Sequence, residues 1–194
     1  MNDMIHLFGF TTTALELLSF VLAVITVWLT IRQSHWSWLF AIVSSGTYGF
    51  VFYDARLYGD MALQLVFIAV SVWGWYQWQL GGEGHKALGV SRLTLPGWRY
   101  ALGGWLFGYV VLAGFLKYYT DTDVPHADGF LTAGSLLGQL LLSRKKLENW
   151  HTWIAVDLLY VGLYLYKDLK LTAILYAIYV VLAILGLRTW RRAL

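Results

Sequence analysis

Apolar residues run in long, nearly unbroken stretches along most of this chain, without the short polar intervals that alternate with apolar positions in a soluble fold. Against a template of about 20 apolar residues per bilayer crossing, they mark segments at 14–32, 37–53, 60–79, 99–118, 128–143, 149–166 and 171–189. Each is predicted to be a helix, because lipid offers no partner to free backbone N–H and C=O groups and the period-2 alternation of barrel strands is missing. The predicted fold class is therefore all-α: an integral membrane protein with seven transmembrane helices. Ser, Gly and Thr interrupt the second and fifth segments, and these are residues that let helices pack closely in lipid.

Composition agrees with the pattern. Of 194 residues, 59% are hydrophobic and 13% charged, with a mean hydropathy of +0.59, which excludes an ordinary soluble surface. The chain has no cysteine, so disulfides, thiolate metal sites and a cysteine nucleophile are excluded. Met1 to Thr13 lacks the basic start of a cleavable signal peptide.

Charge sets the expected orientation. Arg32, then Glu83, Lys86, Arg92 and Arg99, then Arg144, Lys145, Lys146 and Glu148, then Arg188, Arg191 and Arg192 fall on one side of a path that crosses at these segments. The other side carries Asp54, Arg56 and Asp60, then Lys117, Asp121, Asp123 and Asp128, then Lys167, Asp168 and Lys170. The basic excess marks the first side as cytoplasmic, with the N-terminus outside and the C-terminus inside. Loop lysines and arginines account for the pI of about 9.1, so no nucleic-acid partner is needed.

Compared with itself at an offset of 112, the chain pairs Arg32 with Arg144, Trp38 with Trp150, Tyr48 with Tyr160, Leu57 with Leu169, Gly74 with Gly186 and Trp78 with Trp190. The expected organisation is a single membrane domain over 1–194, in which a first repeat (14–79) and a second (128–189) are joined by one linking helix (99–118). An odd linking helix makes the two triplets run the same way. Parallel repeats of this sort are a transporter architecture, with the substrate held near mid-membrane at the repeat interface.

The chemistry centres on Asp157, a carboxylate inside the sixth span, where a charge is expensive and by default functional. Trp153, Asp157, Tyr160 and Tyr164 recur at i, i+4, i+7 and i+11 and so share one helix face. An acid between an indole and phenols suits a flat cation, since aromatic faces attract positive charge. On the second span Phe40, Ser44 and Tyr48 repeat the spacing, and Gln64 and Gln139 add amides on the third and fifth. Trp36, Trp38, Trp73, Trp75, Trp78, Trp98, Trp150 and Trp190, near span ends, fit an interfacial belt. Ser44 and Ser45 fit helix contacts, Gln64 and Gln139 fit interhelical hydrogen bonds, and Glu16 fits a structural acid. For Asp157 the structural alternative is a buried cation on another span, and no span interior carries one. An intramembrane hydrolase would need two acids sharing a proton; Glu16 and Asp157 lie in different repeats.

Three strings carry a family resemblance: Phe52 to Gln64 around Leu57-Tyr58-Gly59-Asp60, Trp73-Gly74-Trp75-Tyr76-Gln77-Trp78, and Arg144-Lys145 followed by Glu148-Asn149-Trp150-His151-Thr152-Trp153. They resemble the PnuC family of bacterial vitamin transporters, over about residues 14–192. The resemblance implies a nicotinamide riboside transporter of the inner membrane, with a three plus one plus three helix arrangement related to the SWEET sugar transporters and a homotrimeric assembly. It also implies facilitated diffusion with trapping by a separate cytoplasmic kinase, and no cofactor. The lack of a P-loop string agrees with uncoupled transport. The resemblance also implies a departure: nicotinamide riboside carriers of the family usually hold Asn at the positions occupied here by Ser44 and Asp157. An ionised carboxylate only accepts hydrogen bonds, which still suits the pyridinium and amide N–H of nicotinamide riboside and equally the thiazolium and amino group of thiamine. The expected substrate-binding set is Trp153, Asp157, Tyr160, Ser44, Tyr48, Gln64 and Gln139.

Overall fold

A computed structural model describes residues 4–7, 10–54, 58–166 and 170–194. The expected helices are present: α1 (Ala14–Ile31), α2 (Trp36–Asp54), α3 (Tyr58–Leu80), α4 (Leu95–Tyr119), α5 (Pro125–Ser143), α6 (Glu148–Tyr166) and α7 (Lys170–Arg191). Most ends lie within two residues of the hydropathy pattern. The exceptions are the starts of α4 and α5, which lie earlier, because Pro opens both helices with a fixed φ and no N–H to leave unpaired. At α4, Thr94 caps the end by accepting from the Gly97 N–H at 3.2 Å.

One departure from the all-α expectation precedes α1. Strands β1 (Met4–Leu7) and β2 (Phe10–Thr13) form an antiparallel pair with Met4 opposite Thr13 and Leu7 opposite Phe10. Three consecutive β-branched threonines favour an extended backbone, a signal too short to register against spans of helix length.

Among the described residues, Leu95–Tyr119 and Thr172–Arg191 are long and apolar enough to cross a bilayer on length and composition. In α2 and α6 the apolar run is diluted by Ser44, Ser45 and Thr47 and by Glu148, Asn149 and His151. Large apolar side chains face outward along the helices, among them Phe50, Leu65, Leu106, Phe107 and Val110. That is the reverse of a soluble surface, and lipid satisfies it.

The chain gathers into two compact units, residues 1–87 and 88–194. In the first, α2 packs on both α1 and α3. Its core is an indole laid on a glycine: a Cβ added to Gly74 would come within 2.6 Å of Trp38 Cζ2, and Trp78 meets Trp38 edge-on at 5.4 Å between ring centroids. In the second unit, α5 packs on α4 and α6, and α6 on α7. There Trp150 lies on Gly186, with 2.6 Å from an added Cβ to Cζ2, and Trp190 meets it edge-on, again at 5.4 Å.

Helix ends recur with the same spacing. Ile31 and Ser143, Trp36 and Glu148, Asp54 and Tyr166, and Tyr58 and Lys170 are each 112 residues apart. The turns between α1 and α2 and between α5 and α6 are alike in detail. Gln33 (φ 56°) and Lys145 (φ 47°) both take the left-handed conformation, and the next residue in each turn, Ser34 or Lys146, donates its N–H to Leu29 O or Leu141 O at 2.9 Å. This closes the last helical turn as a left-handed C-terminal cap does. Leu57 and Leu169, a pair in the sequence comparison, lie outside the described residues.

The second turn has an extra partner. Ser91, ahead of α4, donates its N–H to Lys145 O (3.1 Å) and accepts from the Leu147 N–H (2.8 Å), while Lys146 Nζ donates to Ser91 Oγ at 2.9 Å. The Leu93 N–H donates to Glu148 Oε2 at 2.9 Å. Lys145 is buried beneath this strap, and loss of hydration lowers its ammonium pKa from the usual lysine value.

Candidate functional site

The face of α6 that carries the expected site turns toward α5, and small residues on α5 let it approach. Gly138 receives Trp153: a Cβ there would lie 2.9 Å from the indole Cε2. One turn earlier on α5, Gly134 receives Val156 Cγ2 (2.7 Å) and the Trp105 ring of α4. Further along, the hydroxyls of Thr132 and Ser135 face the Tyr160 hydroxyl. Trp153, Val156 and Tyr160 are thus seated in order along α5, with Asp157 in the same stretch of α6.

Asp157 is 4% exposed. Among the described residues, no side chain donates a hydrogen bond or forms an ion pair with it. A carboxylate so deeply buried is either neutral or balanced by a cation. Beyond it, Tyr160 and Tyr164 stack with ring centroids 5.5 Å apart, and Tyr176 of α7 closes on both at 4.8 and 5.0 Å. Tyr179 adds an edge-on contact to Tyr176 at 5.5 Å. Tyr176 and Tyr179 were outside the set expected from sequence; their i, i+3 spacing on an apolar helix was the available signal. Gln139 is half-buried and follows Gly138.

In the first unit, Gln64 of α3 opens into a groove of about 410 Å³ whose walls include Ser45, Gly49, Phe50 and Ile68. The Gly49 position lets α2 lie against the stem of Gln64, 3.8 Å from an added Cβ to the Gln64 Cβ. Ser44 and Tyr48 are half-buried on α2 and are not among the lining residues of this groove. Ser45, not Ser44, lies 112 residues before Asp157, so the serine that lines the groove is also the one in register with the acid. The Glu16 side chain lies outside the described residues. Among the described residues, no cluster of His, Asp and Glu is arranged to hold a metal ion.

Comparison with known proteins puts this arrangement in context. The model of the nicotinamide mononucleotide transporter family matches residues 13–192. The riboflavin/roseoflavin transporter RibM of Streptomyces davaonensis is 29% identical, with 88% of this chain and 81% of that protein covered. The nicotinamide riboside transporter PnuC of Escherichia coli is 22% identical over 94% of this chain and 87% of its own. Among solved structures, a crystal structure of the vitamin B3 transporter PnuC has the same fold, with a TM-score of 0.73, 23% identity, and 92% and 81% of the two chains covered.

Proposed function

The chain belongs to the nicotinamide mononucleotide transporter family, a family of multi-pass membrane transporters, and from that premise we propose that it takes up nicotinamide riboside across the bacterial inner membrane by facilitated diffusion. A cytoplasmic kinase traps the substrate by phosphorylation. Buried Asp157, with no cation as partner among the described residues, carries this reading. A permanent pyridinium meets three needs of the site together: it balances the carboxylate, stacks on Trp153, and presents an amide N–H that the carboxylate or Gln139 accepts. Cation–aromatic contact contributes about 2 kcal/mol once water is excluded. Tyr160 offers a hydroxyl suited to a ribose, and Tyr48, Ser44 and Gln64 of the first unit offer hydroxyls and an amide of the same kind.

The same reading takes α1–α3 and α5–α7 as parallel repeats joined by α4. The 112-residue recurrence of helix ends, turns and indole–glycine contacts supports it. A homotrimer is part of the proposal.

Riboflavin is the second reading, supported by the 29% identity to a riboflavin transporter and by the cluster of tyrosine rings around Tyr176. Thiamine satisfies Asp157 for the same reason as nicotinamide riboside does. Purified protein in liposomes, offered radiolabelled nicotinamide riboside, thiamine or riboflavin in turn, separates the three. Saturable uptake lost in Asp157→Ala, with the melting temperature retained, is the expected outcome. Uptake of labelled riboflavin alone, or undiminished nicotinamide riboside uptake by Asp157→Ala, contradicts it.

A further inference from the structure

We propose that Gly138 is a specificity-determining position for the α6 site: it sets the depth of the Trp153 indole and hence the gap into which a substrate ring fits beside Asp157. The inference rests on the substrate-site reading above. Trp153 lies with the middle of its indole over Gly138, at 2.9 Å to Cε2, 3.2 Å to Cζ2 and 3.3 Å to Cδ2 from an added Cβ. Any side chain at 138 therefore meets the face of the ring, where a small rotation does not clear it.

Something must move, and the packing on both sides of Trp153 decides what. Toward the start of α6, Trp150 is clamped on Gly186 and edge-on to Trp190. One turn on, Val156 is fully buried, with Cγ2 in the notch of Gly134. These contacts fix α6 against α7 and α5, and close-packed interiors shift little as a whole. The half-buried Trp153 indole is the free element. A methyl group at 138 consequently pushes the indole off α5 while leaving the helix in place. Asp157 is one helical turn from Trp153 on the same face, so a displaced indole changes the distance between the stacking surface and the carboxylate. That distance is what a flat cation has to match.

Kinetics in liposomes test this, using the labelled vitamin that the wild-type protein takes up. Gly138→Ala is expected to raise KM about tenfold, the effect of one misplaced methyl-sized group in a shaped pocket, with the maximal rate and the melting temperature little changed. Trp153→Phe introduced into Gly138→Ala is expected to recover most of the loss, because the smaller ring fits over the new Cβ. Gly162→Ala, at a position on α6 with nothing within 4 Å of an added Cβ, serves as the neutral control. An unchanged KM in Gly138→Ala overturns the inference while leaving the site reading intact. So does a parallel fall in maximal rate and melting temperature that Trp153→Phe does not relieve. If Trp153→Ala and Asp157→Ala both transport as the wild type does, the site reading fails, and this inference with it.

Discussion

Gly74 and Gly186 show how much single positions constrain this chain. Each is a place where an indole lies directly on a helix backbone, Trp38 in one case and Trp150 in the other. In lipid there is little hydrophobic gain from bringing helices together, so close van der Waals packing at small residues does much of the work. Both indoles are buried with no hydrogen-bond partner for Nε1 among the described residues, so their contribution comes from shape, offset by the cost of an unpaired N–H. An added methyl must displace a ring that is already packed on its other side by Trp78 or Trp190. Gly74→Ala and Gly186→Ala are each expected to destabilise by about 1–3 kcal/mol, the range for overpacking a filled core. Thermal unfolding in detergent, followed by near-ultraviolet circular dichroism, measures the loss; Gly103→Ala, with open space at its Cβ position, should leave the midpoint unchanged. The sequence already paired Trp38 with Trp150 and Gly74 with Gly186 at a common offset, but not the contact within each pair. Glycine and tryptophan lie 36 residues apart in chain order in each unit, and no local period links them.

Among the elements, the helices were the legible part and the segments between them were not. Long apolar runs have one stable backbone conformation in lipid, so the spans could be located from hydropathy, and their ends moved only where Pro96 and Pro125 start a helix early. The strap ahead of α4 had no comparable signal. Ser91 and Leu93 are ordinary linker residues until Glu148 and Lys146, more than 50 positions away, reach them. Glu148 was counted as a loop charge for orientation, whereas it is 7% exposed and accepts from the Leu93 N–H. A charge-assisted bond of this kind contributes about 1.5–3 kcal/mol. Glu148→Ala leaves that N–H without its acceptor and is expected to cost about 2 kcal/mol; Glu148→Gln keeps an acceptor and should cost roughly half as much. Hydrogen exchange at the Leu93 amide reads the same contact locally, with faster exchange expected in Glu148→Ala than in Glu148→Gln. For the site, the face of α6 was readable from spacing, but the part played by Gly134 and Gly138 was not, and the spacing of Tyr176 and Tyr179 did not by itself tie them to α6. Their relevance depends on α5 and α7 lying beside α6, which no period within a single helix encodes.

For the whole molecule the sequence makes a sharper statement, about sidedness. Lys146 is engaged by Ser91 and Lys145 is buried, so the basic excess available to lipid headgroups comes from exposed Arg32, Lys86, Arg92, Arg99, Arg144, Arg188, Arg191 and Arg192. These residues lie at or near the ends of α1, α5 and α7 or between α3 and the first turns of α4, positions that a chain crossing at every helix places on one side. The positive-inside tendency predicts that side to be cytoplasmic. Because the chain has no cysteine, single substitutions report sidedness without background. Asp121 between α4 and α5, Glu83 between α3 and α4, and Ala193 after α7 are all exposed. With a membrane-impermeant maleimide on intact cells, Asp121→Cys is expected to label, whereas Glu83→Cys and Ala193→Cys label only after permeabilisation. Parity and orientation separate in the result. A reversed pattern would keep the crossings and invert the protein, while Glu83→Cys and Ala193→Cys on opposite sides would mean that one of α4–α7 does not cross, and the parallel-repeat arrangement would fall with it.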